Sequence, residues 1–352
     1  MRTIKVLLSF FTIILLIITC DDSVSSSTNL SGEWLIPESE VFDGGPGKDG
    51  IPAISNPSFV SNSSINYMKD DDLIIGVKFN GEVRGYPHPI LDWHEIINDQ
   101  IGDNYYSLTY CPLTGSAINY NRDLNGNITT FGVSGFLYNT NLIPYDRGSN
   151  SNWSQMKLLC VNGNLKGKSA ETYLSIETNW ATWKRIFPNA KVVSTNTGYN
   201  RNYGNYPYGS YKSNNSLLFP ISNSNNKLPK KERVHGIIHN NKTIAFRFNS
   251  FNNGISAISK VVENKNIIII GSKSDNFIVS YYTGLSAGTS LTFESVQNSL
   301  PIILVDNQGN KWNIFGEVVS GPRLGQKLEP TNSYIAYWFA WATFYPNIEV
   351  IE

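Results

Sequence analysis

One layout is written twice along this chain, which confines the fold to a duplicated arrangement. The first copy runs from Gly76-Val77-Lys78-Phe79-Asn80-Gly81 through Trp93-His94-Glu95, Tyr110-Cys111-Pro112-Leu113 and Trp153-Ser154-Gln155. It closes at Trp180-Ala181-Thr182-Trp183 and Phe187-Pro188-Asn189. The second starts at Gly236-Ile237-Ile238-His239-Asn240-Asn241-Lys242, passes Ile267, Ile270, Ser280-Tyr281-Tyr282 and Trp312, and closes at Trp341-Ala342-Thr343 with Tyr345-Pro346-Asn347. Where the first copy has Cys111, the second offers only hydroxyl and aromatic residues. The copies therefore read as one working unit and one supporting unit.

Each copy reads as β-strands closed by a short helix. Leu73 to Phe79 and Val83 to Tyr86 flank Asn80-Gly81, the strongest short hairpin signal because a type I′ turn needs positive φ at both central residues. Ile90 to Ile97 reads as a short helix or a turn into a strand. Tyr105 to Tyr110 reads as a strand delivering Cys111, with further strands at Ala117 to Tyr120 and Thr129 to Val133. Helices are expected at Ala181 to Phe187, capped by Thr178 or Asn179, and at Tyr334 to Phe344, each stopped by a proline. The fold class is thus mainly β (α+β): two pseudo-symmetric β-rich repeats, each closed by a short C-terminal helix. The boundaries are 49–197 and 231–352, with a Tyr- and Asn-rich strap over 198–230. That strap either packs over the seam between repeats or forms a lid or ligand platform, with Tyr206 and Tyr208 as its candidate binding residues.

The N-terminus constrains where such a protein works. Arg2 and Lys5 precede an apolar run from Val6 to Ile18, too short for a stable span and fit for a signal peptide over 1–19. Thr19-Cys20-Asp21-Asp22 resembles a bacterial lipobox, so Cys20 is the expected lipidation site, residues 20–48 a tether, and the location the cell envelope with the membrane as partner. Formal net charge is 0, from 28 basic and 28 acidic side chains. Losing Arg2 and Lys5 with the signal leaves 26 against 28, or −2. That is no footprint for nucleic acid. Cys111 and Cys160 remain after Cys20, and sequence does not set their separation for a bridge.

Several stretches together resemble the bacterial domain-of-unknown-function 3179 (DUF3179) family. They are Asp49-Gly50-Ile51-Pro52-Ala53 with Asn56-Pro57, Trp93-His94-Glu95-Ile96-Ile97-Asn98-Asp99, and Thr109-Tyr110-Cys111-Pro112-Leu113. Phe131-Gly132-Val133-Ser134-Gly135 with Asn139, Trp153-Ser154-Gln155, and Pro229-Lys230-Lys231-Glu232-Arg233-Val234 complete the set. The resemblance runs from about residue 49 to the C-terminus and implies no established activity. Members commonly read Cys-Pro-Leu-Cys-Gly where this chain has Cys111-Pro112-Leu113-Thr114-Gly115. With Thr114 in the last place, dithiol cycling at this motif is excluded and a single-thiol role remains.

Cys111 and His94 are the leading candidates for chemistry, 17 positions apart, with Glu95 beside them. Imidazole and thiolate suit zinc or copper, and Glu95, Asp92 or Asp99 would add an oxygen or orient the ring. The same pair would serve as nucleophile and base. A buried, inert cysteine and a backbone-bonded histidine are the structural alternative. Trp153, Ser154 and Gln155 are candidate ligand donors, or core and turn residues. Ser154 lacks the Gly-x-Ser-x-Gly elbow of a serine nucleophile. The glycines of Phe131 to Gly135 read as a bend or bulge. His235 and His239 read as packed on one strand face, and His88, between Pro87 and Pro89, as exposed. Two functions follow as expectations: a small-molecule or metal site in the first repeat, or a non-catalytic lipoprotein presenting tyrosines to a glycan or protein partner.

Overall fold

Asn80 and Gly81 take φ of 50° and 83°, and Leu73–Phe79 pairs with Glu82–Pro87 across them. The positive φ at both positions matches the turn to the right-handed twist of its strands. The structure, a computed structural model, describes residues 33–284 and 291–352; the expected signal peptide and Cys20 lie outside the described residues. Ser175–Asn179 joins this hairpin antiparallel to Leu73–Phe79, and Lys191–Val193 joins it parallel to Glu82–Pro87. The second copy rebuilds the sheet from Arg233–His239 and Lys242–Arg247, flanked by Asn332–Tyr337 antiparallel and Glu349–Ile351 parallel.

Two more sheets recur in the same way. Ile96–Ile101, Asn104–Cys111 and Ser116–Asn121 form a meander extended by Thr172–Tyr173. Its counterpart is Ser256–Val262, Lys265–Ser272 and Phe277–Tyr282, extended by Glu329–Pro330. Phe131–Tyr138, Asn141–Asp146, Asn152–Ser154 and Leu159–Asn162 follow one another across the third sheet, and Phe293–Ser295, Ile302–Asp306, Lys311–Asn313 and Val318–Ser320 do likewise in the second copy. The protein is mainly β, with three short α-helices among the described residues: α1 (His88–His94), α2 (Trp180–Ile186) and α3 (Trp338–Phe344).

The closing helices explain a glycine in each hairpin. Helix α2 begins where the Asn179 side chain accepts the Thr182 N–H at 2.8 Å, and it lays the buried Trp183 ring on Gly76. A Cβ at Gly76 would stand 2.6 Å from that ring, and one at Gly236 would collide with Trp341 of α3 in the same way. The expected helix over Tyr334 to Phe344 starts later than its pattern suggests. Tyr334 to Tyr337 belong to a strand, because pairing with Arg233–His239 satisfies backbone groups that a longer helix would leave open along that edge. A second shared device is the indole of Trp153, which donates to Asp146 Oδ2 at 3.0 Å, as Trp312 donates to Asp306 Oδ2 at 3.0 Å.

The repeats interlock reciprocally. Ser175–Asn179 of the first packs against Phe277–Tyr282 of the second, and Asn332–Tyr337 packs against Ser116–Asn121. Their interiors differ in chemistry. Cys111 pairs with Ser116 as Ser272 pairs with Phe277, and Gln155 follows Trp153 as Ile314 follows Trp312. The second copy thus fills with Ile270, Phe277 and Ile314 the places where the first holds Thr109, Ser116 and Gln155. In the first copy Ser116 donates to Gln155 Oε1 at 2.7 Å, and the Asn141 amide donates to the same oxygen at 2.7 Å and to Thr114 Oγ1 at 2.9 Å. Gln155 Nε2 in turn donates to Thr109 Oγ1 at 3.0 Å. A buried polar network of this kind specifies one side-chain arrangement, at a cost that an apolar core of equal volume avoids.

Candidate functional site

Beside that network lies a cavity of about 310 Å3 in the first repeat. Its walls come from chain segments far apart in sequence. Gly50, Ile51 and Pro52 approach from the N-terminal loop, Trp93 and Glu95 from the end of α1, and Cys111 and Leu113 from the strand end. Val133 and Gly135 supply another wall, and Arg201, Tyr208 and Phe219 of the strap form the roof. The loop is held by Asp49, which accepts Tyr145 Oη at 2.5 Å and Arg147 Nη2 at 2.5 Å. Gly135, at φ 87°, sits where the register to Asn141–Asp146 slips, so the expected bulge is present, and a Cβ there would strike Gly47 at 2.7 Å.

Glu95 and Cys111 are buried polar groups on the wall of this largely apolar space, which Asp92 and Arg201 also line. Glu95 is buried, and its carboxyl is pushed up to about 7, chiefly by burial. The Tyr208 hydroxyl, donating to Oε1 at 2.9 Å, pulls the other way, and nearby Asp92 adds to the rise. Cys111 is buried as well; burial and the Glu95 charge push its thiol up to about 11 against opposing hydrogen bonds from Thr114 and Leu142. Its Sγ faces the Thr140 carbonyl at 3.7 Å and accepts the Leu142 N–H at 3.4 Å. A thiol so placed stays protonated at neutral pH and is no thiolate nucleophile.

The backbone around these two groups is strained. Glu95, the C-cap of α1, has φ 57°, and Thr140 has φ 66°, a region that a β-branched residue rarely enters. Strain of this kind costs on the order of 1–3 kcal/mol per residue and concentrates at functional sites. Here it turns the Thr140 carbonyl toward Cys111 and the Glu95 side chain into the cavity.

His94 does not join Cys111. Its Nδ1 lies 2.8 Å from the Pro52 carbonyl, which only accepts, so Nδ1 carries the proton; Nε2 then accepts from the Tyr203 hydroxyl at 2.7 Å. Burial lowers its pKa, and the ring is a neutral pin between loop and strap. Asp99 is engaged elsewhere, bound by Arg84 Nη1 at 2.8 Å and Tyr86 Oη at 2.6 Å. Among the described residues no group of three or more His, Cys, Asp or Glu side chains is placed to hold a metal ion. With both His94 nitrogens committed, these residues do not fit the zinc or copper expectation. Trp153 is core, the Ser154 hydroxyl is buried without a partner among the described residues, and Gln155 belongs to the polar network rather than to the cavity wall. Cys111 and Cys160 are both free thiols.

The strap faces inward. The Tyr206 hydroxyl donates to the Pro112 carbonyl at 3.3 Å and Tyr211 to the Leu113 carbonyl at 2.8 Å, so three tyrosines with Tyr208 clamp the Cys111 segment and Glu95. His235 and His239 meet Ser280 at 2.8 Å and Tyr282 at 2.9 Å, as packed strand residues do. His88 corrects the expectation of exposure: it is buried, with Nε2 3.0 Å from Glu177 Oε2 and Nδ1 3.1 Å from the Tyr110 hydroxyl. Flanking prolines suggested a surface loop, but Pro89 sits in the first turn of α1, where a missing N–H costs nothing. Sequence reading missed Arg201 and Thr140; no local pattern marks a roof residue from a distant strap or a threonine with positive φ.

No curated protein and no solved structure matches this chain. A family described as a protein of unknown function matches residues 48–348, and the stretches that carry the resemblance at Gly50 to Pro52, Trp93 to Glu95, Cys111 to Leu113 and Val133 to Gly135 meet at this one cavity. The chain belongs to that family, DUF3179.

Proposed function

We propose that this is a cell-envelope lipoprotein, anchored through Cys20, whose first repeat binds a small, mainly apolar molecule carrying one polar group that hydrogen-bonds to Glu95. The observation that carries the reading is the convergence of four separate motif stretches on one apolar cavity with Glu95 and Cys111 inside it. Concave, mostly apolar spaces with a few placed polar groups are the usual form of small-molecule sites. A carboxyl near 7 both gives and takes a proton at neutral pH, so Glu95 is the group suited to proton exchange with a bound molecule. The Cys111 thiol serves as a weak donor and a piece of the wall. The inward-facing tyrosines favour a roof over a site rather than a surface offered to a glycan.

The neutral fluorophore N-phenyl-1-naphthylamine tests the site. It should bind saturably and quench tryptophan fluorescence through Trp93, and Leu137→Trp, which fills the cavity from its rim, should abolish the effect while thermal melting stays cooperative. Equal binding by the variant would sink the reading. The anchor is tested separately by metabolic labelling with an alkynyl fatty acid, which Cys20→Ser should eliminate.

A further inference from the structure

We propose that a second cavity, at the seam between the repeats, binds a small dipolar molecule bearing both a carboxylate and an ammonium group, of the α-amino acid class. The cavity measures about 260 Å3. It lies just below the roughly 300–1,000 Å3 of drug-sized pockets, so it suits a small metabolite. His88, Asp92 and Tyr110 of the first repeat, Lys212 of the strap, and Arg233 and Tyr337 of the second repeat line it. Asp92 is the residue it shares with the Glu95 cavity.

Its walls carry both signs: Lys212 and Arg233 line it together with the carboxylates of Asp92, Asp71 and Asp72. Glu177 binds both His88 and Arg233 and is held down to about 2 by those partners against the effect of burial. Lys212 donates to Asp92 Oδ2 at 2.9 Å and Oδ1 at 3.2 Å. A bare anion would gain from Arg233 and Lys212 but lose to the three aspartates, and a bare cation would gain from the aspartates but lose to Arg233 and Lys212. A molecule with both signs complements the arrangement, and the mismatch rejects single ions. Donor capacity is left over: Arg233 has five N–H groups and Lys212 three, more than their protein partners use. The Tyr337 hydroxyl, on a residue 7% exposed, lines the cavity and has no hydrogen-bond partner among the described residues.

The fold does not require these groups. Register places Ile335 of the second repeat where Glu177 stands in the first, since His235 pairs with Ile335 as Ile75 pairs with Glu177. Phe248 likewise follows the second hairpin as His88 follows the first. The counterparts of Glu177 and His88 in the second copy are therefore hydrocarbon side chains. Burying charged groups carries a desolvation cost that pairing only partly offsets, so the charged version is poorly explained by stability alone. Gly115, at φ 60°, keeps the space open: a Cβ there would stand 3.1 Å from the Tyr337 ring.

Two-dimensional amide NMR of the purified protein, titrated with L-alanine, acetate and methylammonium, tests the proposal. L-alanine should shift the Gly115 and Tyr337 amides saturably, with acetate and methylammonium at least 10-fold weaker. Lys212→Met should weaken L-alanine at least 10-fold, and Tyr337→Phe, which preserves shape, should weaken it several-fold with an unchanged amide spectrum elsewhere. Acetate binding as tightly as L-alanine, no saturable shift with any probe, or unaltered affinity in Tyr337→Phe would each overturn it. None of these outcomes bears on the Glu95 cavity, which naphthylamine reads independently.

Discussion

Replacing Glu95 by glutamine should stabilise the protein, by an amount that grows as pH rises from about 4.5 to about 7. Burial lifts this carboxyl from its ordinary 4.5 to about 7. Each unit corresponds to about 1.4 kcal/mol, so ionising Glu95 in the fold costs about 3 kcal/mol more than ionising it in the unfolded chain. The sign follows from the raised value: the folded state holds the proton more tightly. The penalty is absent below the unfolded value, grows as pH rises between the two, and is complete above the folded one. Stability of the natural protein should therefore fall across that window, while Glu95→Gln, which copies the neutral form and can still accept from Tyr208, should not follow it. Guanidinium denaturation followed by tryptophan fluorescence should show the two proteins alike near pH 4 and the variant ahead by up to about 3 kcal/mol near pH 8. A difference of the same size at both pH values would refute the reasoning, since Glu95 would then titrate as an ordinary carboxylate.

Tyr208→Phe removes the hydrogen bond that holds the Glu95 carboxyl down, so the window of stability loss should move to higher pH; an unmoved or lowered window would show that the hydroxyl does not govern Glu95. Cys111, pushed up to about 11 and buried, should react with iodoacetamide near pH 8 roughly 100-fold more slowly than free cysteine. A reaction midpoint below pH 8 would contradict the assigned thiol form. Gly236→Ala forces a methyl group into the Trp341 ring and should cost about 1–3 kcal/mol in urea denaturation, with no effect on naphthylamine binding; an unchanged midpoint would mean that α3 yields freely.

Local chemistry made much of the scaffold legible. Asn80-Gly81 announced its hairpin, Asn179 and Pro188 bracketed α2, and the repeated Gly and Trp positions marked two copies of one architecture. These features depend on neighbours a few residues away, or on a pattern that recurs, and either is visible in one dimension. Glu95 and Cys111 of the motif stretches and Tyr208 of the strap all line the same cavity.

Side-chain pairing was decided only in three dimensions. His94 and Cys111 sit at adjoining segment ends, but α1 turns the imidazole toward Pro52 and Tyr203, while the left-handed Glu95 that follows swings its own carboxyl toward the thiol. His88 passed for a surface residue because its partner Glu177 comes from the end of the first repeat and is itself held by Arg233 from the start of the second. By itself the sequence determined a duplicated β scaffold, because turns, caps and alternation are local. Which groups face one another, and what burial does to their protons, came from packing strands distant in the chain, where desolvation and partner geometry have no sequence signature.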